Sequence, residues 1–486
     1  MKKNRILFGE WKPDQSDSTG QPSNDLEMAY NVYPTATGYA PFPMTSPLTI
    51  NMPNGEDITG LISARHNEEI FTLVGTPSEI YRGNNVTRIS IDIEPVGKGE
   101  YKAPKTGWQF MQFGTVMLAT NGSDKIQSMN IVGSSTFSDI NQAPICRTMA
   151  IVRDQVVAGY CDGESNRVRW SDVNNEMLWN PSDTNQADFQ NLAGGGEIKA
   201  VTGGEFGLII QDRAVQRMSY IGTPLIYQFD LISDNIGCLA GKSAIQHNGI
   251  SYWLSHEGIV ACDGTKITNI GNGKINDWLF KEIDLTQMDN KTDNSSVAID
   301  PIKNLIVWNF PTKTDNRLLL KYNYSTQRFS TGFTKAHIVA GLETDGTTLD
   351  ALDATFPNLD IMSVSLDSHL FIGGQFSFCG AVDGRVVAFN LKNNNSYLTT
   401  NDMEFGGFSV VTSAQPIVEN GTAEFQVASR NTLNDNIEFS TASVTSNENR
   451  ADLRSGGKYH RIRMRATDDW TNAVGFDLDV TPQGER

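Results

Sequence analysis

Positive charge is scarce in this chain: lysine and arginine number 39 against 56 aspartates and glutamates, a formal net charge of −17. Broad phosphate binding needs clustered Lys and Arg, so this deficit excludes a general nucleic-acid-gripping surface. It favours solubility, or a channel wall that repels DNA. Long apolar runs are missing too, and nothing approaches the ~20 residues of a membrane-spanning helix. The run Ile6, Leu7, Phe8 behind a basic start is too short for a signal peptide, so no membrane insertion is expected. The five cysteines (Cys146, Cys161, Cys238, Cys262, Cys379) show no CxxC spacing, which points to buried free thiols in a reducing compartment. The six histidines (His66, His247, His256, His337, His369, His460) never fall at HxH, HExxH or HxxxH spacing. A nucleophile elbow, a Walker A loop and a calcium loop are all absent, and the Gly run at 194–196 precedes no helix pattern. The expectation is therefore no catalytic residue, no cofactor and no metal.

What is present is a great deal of turn chemistry. The 486 residues include 43 glycines, and 39% of the chain is hydrophobic against 20% charged, as in a globular protein of two or three domains. From about Gly60 a unit recurs at roughly 45-residue intervals: a strand, a tight turn, a strongly apolar strand, then weaker strands. Clear rounds begin at GLISAR (60–65), GWQFMQF (107–113), TMAIV (148–152), IKAV (198–201), SAIQH (243–247) and SVAID (296–300). VTRISIDI (86–93) reads as the last strand of the first round, and FCGAVDGRVVAFN (378–390) either completes a round or adds another. One such sheet cannot bury both its faces alone, whereas ringed neighbours do so for each other. The fold class expected is all-β: a β-propeller of about six blades, possibly seven, over 46–395. The turn pairs Asp263-Gly264 and Asp383-Gly384 sit where hairpins need positive φ. A single helix is expected over 276–288, capped by Asn276.

Two flanking regions break the rhythm. Residues 1–45 read as an extended N-terminal arm whose isolated aromatics Trp11, Tyr30, Tyr33, Tyr39 and Phe42 suit subunit contact or packing on the protein's own C-terminal part. Residues 396–486 read as a C-terminal β-sandwich. There Arg461, Arg463 and Arg465 alternate with His460, Ile462 and Met464, while Phe476, Leu478 and Val480 alternate with Asp477 and Asp479. Direct antiparallel pairing would set the three arginines against the two aspartates as structural ion pairs.

The stretches NRVRWSDVNNEMLWNPSDTNQADFQNL (166–192) and GGGEIKAVTGGEFGLIIQDRAVQRMSYIG (194–222), together with FGEWKPDQ near the start, the SHEGIVACDG hairpin and the ending YHRIRMRATDDWTNAVGFDLDVTPQGER, resemble the nozzle, or packaged-DNA-stabilisation, proteins of short-tailed bacteriophage tails. The resemblance implies a virion protein, assembled in the host cytoplasm, that forms a homo-hexameric tail tube below the portal and adaptor (head-to-tail connector) complex. It implies contacts with tail spikes or fibres and a needle or plug, transient passage of viral DNA, and neither catalysis nor cofactor. The negative charge then becomes a conduit along which DNA slides. An alternative is a carbohydrate- or receptor-binding propeller such as a phage adhesin, with Trp170, Trp179 and Trp253 as sugar platforms. A trailing reading is a glycan-cleaving propeller, for which Asp172, Asp188 and Asp230 would be the carboxylates.

Overall fold

The computed structural model describes residues 2–15, 24–52, 55–67, 69–83, 93–99, 101–102, 107–132, 136–288, 293–343 and 375–483. Of the expected strand at 86–93 only the last residue is described, and His369 also lies outside the described residues. The protein is an all-β propeller. Six four-stranded antiparallel sheets stand alone, and a seventh four-stranded unit forms the end of a 14-stranded sheet. In chain order the innermost strands are Gly60–His66, Gln109–Phe113, Cys146–Val152, Ile198–Thr202, Ile245–His247, Ser296–Asp300 and Ile338–Glu343. Each starts at the same end of a central channel, and the unit starting at Ser296 is the one that merges with the large sheet. We refer to these units as blades one to seven. The stretch 378–390 supplies two strands of blade seven, the second of its two expected roles.

Blade seven is closed from far away in sequence. Its outer strand is Met44–Asn51, paired antiparallel with Arg385–Leu391. The strands turn back as their residues demand: Asp383 and Gly384 both take positive φ, at 48° and 69°, the geometry of a two-residue hairpin. At the other predicted turn only Gly264 does so (88°), and the Asp263 carboxylate instead accepts the amides of Thr265 and Lys266 at 2.8 and 2.9 Å.

The expected N-terminal arm is in fact woven into sheets. Lys2–Leu7 pairs with Asn472–Pro482, and Leu26–Tyr30 lies between blade six and the strand Tyr397–Thr400. These bridges also bind the propeller to the C-terminal region, so backbone pairing does not divide at 395/396.

The C-terminal strands form one sheet folded over itself, not two separate sheets. Met403–Glu419 pairs with Ala451–Thr467 over 403–414 and, along its other edge, with Asn472–Pro482 over 409–419, while the far end of Ala451–Thr467 pairs with Thr422–Arg430. Gly406 and Gly407, at φ 80° and 99°, provide the bulge at which Met403–Glu419 bends, a conformation that side chains with a Cβ resist. The two arms close on a shared core in which the Phe425 and Phe476 rings meet edge to face at 5.7 Å. The helix is shorter than its pattern suggested, Asn276–Glu282 followed by a 3-10 turn at Leu285–Gln287. Asn276 is not its cap; its amide donates to the Glu257 carbonyl at 2.9 Å. The first-turn amides of Asp277 and Trp278 donate instead to Asp14, a tertiary cap from the N-terminal segment.

Candidate functional site: the propeller channel and an apolar outer rim

All seven innermost strands, with the turn at Gly241–Ser243, line a central cavity of about 550 Å³. Its wall further in is built by Ile62, Phe110, Val201, Ile245 and Ile299, with Gln109, Thr148 and Ser296 between them. Its mouth is charged. Arg147, Lys199 and Lys242 arrive there from blades three, four and five, because each stands at or just before the start of an innermost strand. Glu197 sits between two of these cations, 2.6 Å from Lys199 Nζ and 3.7 Å from an Arg147 Nη. Asp293 lies near the third, but its oxygens are taken up by amides and a hydroxyl: Lys242 N at 2.8 Å, Ser295 N at 3.0 Å and Ser295 Oγ at 2.5 Å. Burial therefore holds Lys242 below the usual ammonium range; Arg317 pushes the same way and Asp293 only partly opposes it. Sequence reasoning missed these residues. The readable signal was a basic residue at the start of three successive rounds, in ICRTMA, EIKAV and AGKSAI.

The second distinctive surface is the outer rim of blades three and four. Met177, Phe189, Ile221, Leu225 and Leu231 are all exposed there, Leu225 by 68% and Leu231 by 60%. Ile221 and Leu225 flank the tip of the hairpin joining Val215–Gly222 to Ile226–Ser233. Just below its tip that hairpin locks onto blade three, with Tyr227 edge-on to Trp170 at 5.2 Å and the Tyr220 hydroxyl donating to Gln186 at 3.1 Å.

Trp170, Trp179 and Trp253 are buried, and each donates its indole N–H to a backbone carbonyl (of Gln186, Glu176 and Gly237), so none is a sugar platform. Asp172, Asp188 and Asp230 accept local hydrogen bonds at their turns and edges, and none lines the channel.

The arm aromatics pack within their own chain, which corrects the subunit-contact expectation for the buried ones. Trp11 stands edge-on to Trp278 at 4.8 Å and donates to the Glu27 carbonyl at 2.9 Å. Tyr39 donates to the Gly9 carbonyl, and Phe42 meets Phe378 and Phe389 at 5.9 and 5.6 Å. Tyr30, half-buried, stacks on Tyr397 at 4.8 Å, and half-buried Tyr33 packs beside the blade-seven core.

The expected arginine–aspartate pairing is not formed, because Met403–Glu419 lies between the two strands that would carry it. Arg461 instead bonds Asp402 at 3.0 Å and Glu27 at 2.8 Å. Arg463 stacks over Phe439 and Tyr397 at 4.0 and 4.9 Å, and Arg465 pairs with Glu424 at 3.1 Å. Asp477 pairs with Arg5 at 2.9 Å and Lys3 at 3.3 Å, contacts that hold its carboxyl below the usual range. Asp479 accepts from Ser413 at 2.7 Å.

The five cysteines are free and buried. Among the described residues no group of three or more His, Cys, Asp or Glu is placed to hold a metal, and no helix is long and apolar enough to cross a membrane.

His460 is fully buried, bonded through its two ring nitrogens to the hydroxyls of Ser409 and Ser429 at 2.8 and 2.7 Å. Burial lowers its pKa to about 4. The unfolded chain, with a histidine pKa of about 6.5, binds more protons than the folded one between these values. The contribution is complete above pH ~6.5 and is lost as pH falls towards 4, roughly 3 kcal/mol in all at 1.36 kcal/mol per pH unit. Denaturant titrations of His460→Gln at several pH values are expected to show a flatter acid limb than the parent; an unchanged limb counts against the assignment.

No family model matches the chain, and no curated protein matches it. Among solved structures it is similar to the Pan2 WD40 domain of Neurospora crassa, at 8% identity and a TM-score of 0.39, over 74% of this chain and 98% of that one. It is also similar to a structure named as a 6-phosphogluconolactonase from Bacteroides uniformis, at 13% identity and a TM-score of 0.39, over 63% of this chain and 93% of the other.

Proposed function

We propose that this chain is a non-enzymatic wall subunit of a short-tailed phage tail tube, six copies forming a ring below the portal–adaptor complex in the virion. The carrying observation is the apolar rim of blades three and four, where five of the 14 large hydrophobic residues exposed among the described residues fall within 177–231. Large apolar side chains left exposed on neighbouring outer strands in this way suit a protein interface. The stretch 166–222, which carries the strongest resemblance to the nozzle proteins, includes Met177, Phe189 and Ile221 of that rim. In this reading the net charge of −17 lines a conduit that does not hold DNA by its phosphates. Spikes or fibres, a needle or plug and the adaptor are the partners. The adhesin reading loses the three tryptophans it relied on.

Native mass spectrometry of the purified chain, alone and with a portal–adaptor complex, is the test. A sixfold multiple of 53.5 kDa that docks on the adaptor is expected. Leu225→Asp with Leu231→Asp should reduce that species to monomer without altering the thermal melt. A monomer under every condition, with or without the adaptor, refutes the proposal.

A further inference from the structure

We propose that the channel mouth is a binding site for a small organic anion, its charged head on Lys242 and Lys199 and its apolar body in the cavity beneath. The Lys242 ammonium has no hydrogen-bond or ion-pair partner among the described residues, although it is half-buried. Taking an ammonium out of water without a partner is costly. The nearest carboxylate, Asp293, does not supply one, since it is engaged by two amides and the Ser295 hydroxyl.

On the opposite blade the ammonium lies close to Gly107, which takes φ +72°. A Cβ there would come within 2.9 Å of Lys242 Nζ and would also meet the Thr59 carbonyl at 2.6 Å. The mouth carries three cations, Arg147, Lys199 and Lys242, against two carboxylates, Glu197 and Asp293. It is thus locally positive in a chain of net charge −17, which repels anions elsewhere. Below it, Ile62, Phe110, Val201, Ile245 and Ile299 are uncharged, and the polar Gln109, Thr148 and Ser296 are engaged by the backbone of Met149, Val201 and Val339, so a second charge finds no ion-pair partner there. A head of one charge with an apolar body matches both ends, and about 550 Å³ is ample for a molecule of that size. The head group recognised is a carboxylate, sulfonate or phosphate ester; the cations do not choose among these.

The probe is anilinonaphthalene sulfonate, compared with its uncharged parent phenylnaphthylamine, each titrated by fluorescence against the full-length protein. One sulfonate per chain is expected, with the neutral parent at least tenfold weaker. Inorganic phosphate in excess should displace the sulfonate. Lys242→Gln should weaken it at least tenfold and Lys199→Gln less, with both variants keeping the parent's circular dichroism and melting profile. If Lys242→Gln fails to fold, Lys199→Gln and phosphate competition decide. Leu225→Asp on the outer rim should leave the affinity unchanged. Equal binding of the two probes, no binding of the sulfonate, or binding indifferent to Lys242→Gln and to phosphate overturns the site.

Discussion

A chain that begins at Met52 is expected to lose cooperative folding, not merely to melt earlier. The removed residues supply the outer strand of blade seven, the strand Leu26–Tyr30 that ties blade six to Tyr397–Thr400, and the edge strand against Asn472–Pro482. They also supply Trp11, Leu26 and Tyr39 to the largest hydrophobic cluster and Phe42 to another. Losing one buried large aromatic costs about 3–5 kcal/mol, and whole domains are stable by only about 5–15 kcal/mol. Three such losses and that of Leu26, with three strands left unpaired, exceed any plausible reserve. Exposed strand edges then favour aggregation. The measurement is sedimentation and far-ultraviolet circular dichroism through a thermal ramp, with Trp11→Ala as a graded control losing roughly 3–5 kcal/mol. A soluble truncated chain with one sharp transition would show that propeller closure does not depend on this segment.

That dependence was invisible in the sequence for a physical reason. The strands of residues 1–45 are short, broken by Pro and Gly, and their partners lie hundreds of residues away, as in Lys2 opposite Val480. Nothing local distinguishes an aromatic anchored in its own core from one awaiting a neighbour. The blades were legible because each closes on itself through short hairpins, so turn residues and apolar strands sit within one window. The apolar positions of the alternation at 460–464 and 476–480 are buried as expected (Ile462, Met464, Phe476, Leu478 and Val480), but Arg461 and Asp477 between them are buried as well. What alternation cannot give is the partner strand. Trp470 fills the corner after Ala451–Thr467, packing where a Cβ on Gly421 would stand. From there the chain crosses to the other arm of the folded sheet, and Arg461 meets Asp402 instead of an aspartate of its sequence neighbour. The channel cations became meaningful only once the strand order set their rounds side by side.

Lys321→Met is expected to stabilise the protein by roughly 3 kcal/mol at neutral pH, an unusual sign for a substitution in a propeller core. Lys321 lies in the blade-six strand Arg317–Asn323, opposite Val307 and Ser330, and is 0% exposed. Its Nζ has no hydrogen-bond partner among the described residues and sits 4.9 Å from the centre of the Phe42 ring. Gly332 leaves room for it, since a Cβ there would stand 2.9 Å from Nζ. Burial pushes its pKa down to about 7. A ring face offers an ammonium about 2 kcal/mol at best, less than such a shift represents at 1.36 kcal/mol per pH unit. Between pH ~7 and the unfolded lysine value of about 10.4 the unfolded chain holds a proton that the folded chain has given up. Stability therefore rises with pH through this window, and the contribution is lost as pH falls to 7. Methionine keeps the length of the side chain, packs in the same space and carries no charge to desolvate. Denaturant unfolding at pH 7 and pH 10 is the check. Lys321→Met should be the more stable protein at pH 7, with the gap closing by pH 10 as the parent recovers. A variant less stable than the parent at pH 7 would mean that the ammonium has a compensating partner and that the lysine supports the join between blade six and the N-terminal segment.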